Sequence, residues 1–122
     1  MDATLEETVM VDEGGVKITA TGLTYTDYSV DLDFTIENNS GKTLTIDDVY
    51  DSLSVNGYMT EYSYYSQELE DGGAAARVIQ LRESSLEENQ ISSPSDIQEI
   101  EVGFEIKEGY TAIDEPTITL FF

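Results

Sequence analysis

Apolar and polar side chains alternate along much of this 122-residue chain with a period of two, the spacing that sends successive side chains to opposite faces of an extended strand. From Ser29 to Glu37, Val30, Leu32, Phe34 and Ile36 share one face, while Asp31, Asp33, Thr35 and Glu37 share the other. Val16, Ile18 and Ala20 alternate in the same way with Lys17, Thr19 and Thr21, and Ile100, Val102, Phe104 and Ile106 alternate with Glu101, Gly103, Glu105 and Lys107. Each segment predicts a half-buried strand. Shorter strands are predicted over 7–11, 44–46, 53–55, 58–65, 77–81 and 117–122.

The separators are rich in turn formers: Asp12-Glu13-Gly14-Gly15, Asn38-Asn39-Ser40-Gly41, Asp71-Gly72-Gly73 and Lys107-Glu108-Gly109. Asn56-Gly57 suits a two-residue hairpin, whose two central positions need positive φ. The one helical signal is Ser84 to Asn89, where a serine cap and acidic residues predict a short helix at most. Pro94 marks a connection. Short strands punctuated by turns predict an all-β fold, an antiparallel sandwich of about seven strands formed by residues 1–122 as a single domain. Val30, Leu32, Phe34, Ile36, Val102, Phe104, Ile106, Ile118 and Leu120 are its predicted core.

Charge narrows the function classes. The chain has 26 acidic residues against five Lys and Arg, a formal net charge of −21. Such a surface repels phosphate backbones, so nucleic acid and anionic membrane surfaces are excluded as partners. Cysteine and histidine are absent, which removes disulfides, thiol nucleophiles, soft metal sites and the usual neutral-pH proton shuttle. No apolar run reaches the ~18 residues of a membrane span, so the domain itself is not expected to insert in a bilayer.

Motifs in a fixed order add a resemblance. VDEGGVKITATGL is followed by VDLDFTIENNSGKTLTI, SVNGYM, DGGAAARVIQL, SSLEENQI, IQEIEVGFEI and a closing EPTITLFF. This succession resembles an uncharacterised immunoglobulin-like domain of secreted proteins and surface lipoproteins of Gram-positive, often gut-dwelling, bacteria. The resemblance implies an immunoglobulin-like sandwich and export to the cell surface, from a precursor whose native gene encodes residues before Asp2 and whose parent protein is lipid-anchored. It implies no catalytic residue and no cofactor. A lysine commonly follows the glycine of the loop before ARVIQL in that family, whereas Ala74 follows Gly73 here.

Candidate chemistry is sparse. Asp31 with Asp33, and Glu99 with Glu101, are paired carboxylates, but an i, i+2 pair on a strand only shares its solvent face. No nucleophile, base and oxyanion set is visible, so the chain is read as no enzyme. Asp47, Asp48 and Asp51, or Glu68, Glu70 and Asp71, offer hard oxygen ligands, yet neither group has the spacing of a calcium loop, and no metal is assigned. Tyr58, Tyr62, Tyr64 and Tyr65 crowd one stretch. Exposed tyrosine gives large contact area at low entropy cost, so these four form the candidate interaction surface, with an unidentified protein or glycan as partner.

The leading reading is a non-catalytic extracellular module for adhesion, scaffolding or protein or glycan binding at the bacterial surface. A calcium-stabilised spacer and a carbohydrate-binding accessory domain of a larger enzyme are the alternatives. The charge also makes a prediction about stability. Sodium chloride should raise the melting temperature, because the Debye length shrinks from ~30 Å at 0.01 M to ~10 Å at 0.1 M. Calcium at matched ionic strength should give the same melting curve, whereas a rise of several degrees at micromolar calcium, reversed by chelator, would show specific binding.

Overall fold

The chain first reverses at Gly14-Gly15, where φ values of 59° and 85° close a two-residue hairpin between β1 (Thr8–Glu13) and β2 (Val16–Tyr25). The computed structural model describes residues 6–122; Met1 and Asp2, on which the export expectation bears, lie outside the described residues. The chain continues through β3 (Ser29–Asn38), β4 (Leu44–Asp48), β5 (Ser54–Val55), β6 (Tyr58–Met59), β7 (Tyr62–Ser63), β8 (Gln67–Leu69) and β9 (Ala74–Arg82). Helix α1 (Glu83–Glu88) and a 3-10 turn at Pro94–Asp96 lead to β10 (Glu99–Glu108), β11 (Thr111–Asp114) and β12 (Thr117–Phe121).

These strands form two antiparallel sheets. One has the order β1-β2-β3-β9-β7. The other is built around β10, with β4 and β5 along one edge, β11 and β12 along the opposite edge, and β8 and β6 outside β4 and β5. Ile100 shows the arrangement, pairing with Val55 on one side and Leu120 on the other. The sheets pack face to face as an antiparallel β-sandwich with one short helix. Of the twelve strands among the described residues, seven have five or more residues, and the rest are short pieces at crossings and edges.

The period-two faces meet in the middle. Ile18, Leu32, Phe34, Ile36, Ile79 and Leu81 from the first sheet, and Leu44, Ile46, Val55, Ile100, Val102, Phe104 and Ile106 from the second, are all buried in one cluster. The Phe34 and Phe104 rings lie 5.6 Å apart across the interface, within aromatic pairing distance. Of the predicted core residues only Ile118, on the outer strand β12, is half-buried.

Four sequence expectations need correction. Asp31 lies on the outer row of β3, yet is only 9% exposed; Ser29 Oγ donates to its carboxylate at 2.7 Å, and Thr24 and Gln80 flank it on the neighbouring strands. Residues 58–65 are not one strand, because β6 belongs to the second sheet and β7 to the first, and the chain crosses between them at Thr60 and Glu61. No serine caps α1: its N-cap is Arg82, without a side-chain hydrogen bond. Ser85 is buried instead and accepts the Glu61 amide at 3.0 Å. Strands β8 and β11 were not expected.

Asn38 ties the crossings together. Its side chain is fully buried, its Nδ2 donates to the carbonyls of Lys42 (2.8 Å) and Leu69 (2.9 Å), and its Oδ1 accepts the amide and hydroxyl of Ser40. The end of β3, the start of β4 and the end of β8 thus meet on one amide, whose hydrogen-bonding capacity is filled. Asn38→Ala should lower the unfolding free energy by about 2–3 kcal/mol, since buried carbonyls lose their partner. Asn39→Ala, at an exposed position, should change it little. Denaturant titration of both variants checks this.

Candidate functional site

After β4 the chain makes a four-residue turn in which the Ser52 amide donates to the Val49 carbonyl at 3.1 Å. Two further bonds clamp that turn onto β10: Val49 N–H donates to Gly103 O at 3.0 Å, and Gly103 N–H donates to Ser52 Oγ at 3.1 Å. Gly103 has no room for more, because an added Cβ would sit 3.3 Å from both Ser52 and Val49. Asp51 adopts φ 54°, a left-handed conformation that a non-glycine residue tolerates only when its surroundings enforce it. The turn thereby holds Tyr50 at its corner, 88% exposed.

Opposite this turn runs the crossing segment, anchored at several points. Thr60 N–H donates to Leu53 O, Arg82 N–H to Glu61 O, and Asn89 Nδ2 to Met59 O. The four predicted tyrosines then divide. The Tyr64 ring enters the side of the sandwich, 5.9 Å from Phe34 and 6.4 Å from Phe104, and its hydroxyl donates to Ile46 O at 2.8 Å. Tyr62 is half-buried and donates a short hydrogen bond to the Asp48 carboxylate. Tyr65 and Tyr58 are exposed. Arg77 lies over the Tyr64 ring, 5.9 Å from its centroid, and donates to Tyr65 O at 2.7 Å, so one cation orders both tyrosines.

Together these elements enclose an open groove of about 760 Å³, with Asp48, Tyr50, Asp51 and Met59 among its walls and Tyr62, Tyr64 and Tyr65 along the crossing segment. Tyr58 lies outside it. Tyr50 and Met59 were missed by the sequence reading: Tyr50 stands alone between aspartates, and Met59, 57% exposed, was read as part of a strand. Only the unusual exposure of two large side chains reveals them.

The partly buried polar groups have shifted titrations. Desolvation raises the Asp48 carboxyl, the Asp47 carboxyl beside it adds to the effect, and the Tyr62 hydroxyl opposes it. Burial pushes both Tyr62 and Tyr64 upward, helped by Asp48 at Tyr62 and opposed by Arg77 at Tyr64, so both phenols keep their protons and donate. Asp47 is engaged by Lys107 Nζ at 3.3 Å and by the Asp48 amide at 2.9 Å, and Asp71 accepts Gly41 N–H. Among the described residues no three acidic side chains converge in a way that could hold a metal ion.

No family model and no curated protein matches the chain. Among solved structures, it is similar to the crystal structure of the GAE domain of GGA2p from Saccharomyces cerevisiae, at 10% identity over 97% of each chain and a TM-score of 0.44. Nothing about the ligand or activity of this chain follows from a likeness of that degree.

The raised Asp48 carboxyl gives a signed pH dependence. The folded state holds this proton more tightly than the unfolded chain, so the associated stability is full below the ordinary value of 3.8 and is lost as pH rises through the folded value. Asp48→Asn keeps an acceptor for Tyr62 and removes the titration. Its melting temperature should therefore gain on the wild type as pH rises from about 4 to about 7; a constant difference across that range would contradict the assignment.

Proposed function

We propose that this domain is a non-catalytic interaction module of an exported, cell-surface protein, and that it binds through the groove beside Tyr50 and Tyr65. The observation that carries this reading is the exposure of Tyr50, Met59 and Tyr65 on backbone fixed by the Gly103 clamp, the Thr60 and Glu61 hydrogen bonds and the Arg77 contact. Large apolar side chains held rigidly in water are a contact surface whose ordering cost has been met before a partner arrives. The groove's half-buried polar groups are already engaged, Asp48 with Tyr62 and Tyr64 with Ile46, which suits a floor rather than reacting groups.

Export rests on the motif resemblance, with which the acidic, cysteine-free composition is compatible. No helix among the described residues is long and apolar enough to cross a membrane; the lipid anchor of the parent protein is part of the same motif-based reading.

Two measurements test the proposal. The Tyr50→Ala/Tyr65→Ala variant, both positions being exposed, should melt within about 1 °C of the wild type yet lose retention on arrays of bacterial-surface glycans and of peptides. Truncation of a central aromatic contact costs ~2 kcal/mol or more, so unchanged retention would remove the groove from the function. Protease treatment of intact cells producing the native full-length gene product should destroy the domain, and protection until lysis would refute export.

A further inference from the structure

The groove does not end at Arg82. A second depression, about 670 Å³ and lined by Tyr28, Ser29, Gln80, Glu83 and Glu87 among others, adjoins the first, and the two share Ser63 and Arg82. The combined trough runs from the Tyr50 turn, past the end of β9, to Tyr28, which is 84% exposed. Its walls carry the carboxylates of Asp48, Asp51, Glu61, Glu83 and Glu87 against one guanidinium, Arg82. Among the described residues no ion pair engages Arg82.

Resting on the reading of the groove as a contact surface, we propose that this trough binds an extended, lysine- or arginine-bearing segment of a partner protein. Charge complementarity selects the occupant, since a local excess of carboxylates inside a domain of net charge −21 raises the local concentration of cations and repels acidic chains. Aromatic faces select it as well. Tyr50, Tyr65 and Tyr28 are spread along the trough, and a tyrosine face attracts an ammonium or guanidinium head, while Met59 offers apolar surface to the side-chain stem. Length favours a peptide over a single sugar, because the two depressions continue one another. Arg82 sits where they meet and sets the polarity, opposing a cation at the centre and favouring basic residues on either side.

Fluorescence anisotropy of a labelled short peptide alternating lysine with serine tests this on the intact domain. Asp51→Asn/Glu61→Gln/Glu87→Gln should weaken binding about tenfold, three weak surface charge contacts together being of that size. Asn suits the left-handed backbone at position 51 at least as well as Asp does. Glu7→Gln/Glu68→Gln/Glu70→Gln changes net charge equally at exposed positions that line neither depression and should cost less than about twofold. Arg82→Gln should tighten binding about threefold, and a glutamate-serine peptide should not bind. Melting curves verify that each variant folds.

Equal losses in the two triple variants would mean that only overall charge attracts the peptide, and would overturn the proposal. So would an absence of binding by the lysine peptide. If that peptide fails while Tyr50→Ala/Tyr65→Ala still abolishes retention on a neutral glycan, the cationic partner is refuted and the interaction module stands. If neither experiment responds to any groove variant, both fall.

Discussion

Phe34 and Phe104 face each other from the central strands of the two sheets, and the gap beside them must be closed. An open flank on this pair would leave aromatic surface in water and forfeit dispersion contacts. The chain closes it with Tyr64, which follows β7 in a stretch where residues 58–65 form two short strands in different sheets instead of one continuous strand. Everything in the groove follows from that crossing. Tyr64 points inward, so its neighbour Tyr65 is turned outward, and Arg77, inward-facing on β9, stacks on the first and holds the backbone of the second.

Electrostatics works against this fold as much as for it. The cations are few and placed with economy: Lys107 bridges Asp47 and Glu105 at 3.3 Å each, Lys42 meets Glu108 across an exposed rim, and Arg77 is spent on the aromatic flank. Exposed pairs of this kind contribute little individually. Elsewhere carboxyls meet one another. Glu13, at the β1–β2 hairpin, is raised chiefly by a hydrogen bond with Asp114 of β11, so two edges of the sandwich approach through groups that repel when both are ionised. The hydrophobic core carries the fold against that repulsion, and the acidic surface is tolerated rather than stabilising.

The long strands were legible because one period, two, ran unbroken through Ser29–Asn38 and Glu99–Glu108 and from Val16 to Thr21, where a register shift at Ala20–Gly22 then moves Leu23 and Tyr25 to the other parity, and because burial on one face enforces register. Hairpin turns at Gly14-Gly15 and Asn56-Gly57 were legible for the same local reason, positive φ being written in residue type. What failed was non-local. Nothing within Tyr58–Tyr65 says that its first and second halves pair with different sheets, since both halves are rich in strand-favouring aromatics. Asp31 read as exposed because alternation reports the face and not what covers it. Tyr50 was overlooked because its prominence depends on Gly103, far along the chain, and Ser84 looked like a cap residue although the helix begins one residue earlier, after Arg82, with no side-chain cap.

The saturated amide of Asn38 has a consequence for how the protein is handled. Asn38-Asn39-Ser40 has the sequence pattern that eukaryotic secretory pathways read as an acceptor for N-linked sugar. Once the domain is folded, both Nδ2 hydrogens are spent on Lys42 and Leu69 and no surface of the side chain reaches solvent, so a glycosyltransferase finds no nucleophile. A glycan attached to the nascent chain before folding would instead keep β3, β4 and β8 from closing on one another. Secretion through a eukaryotic host therefore sets folding and sugar transfer in competition for a single nitrogen, whereas a bacterial host does not.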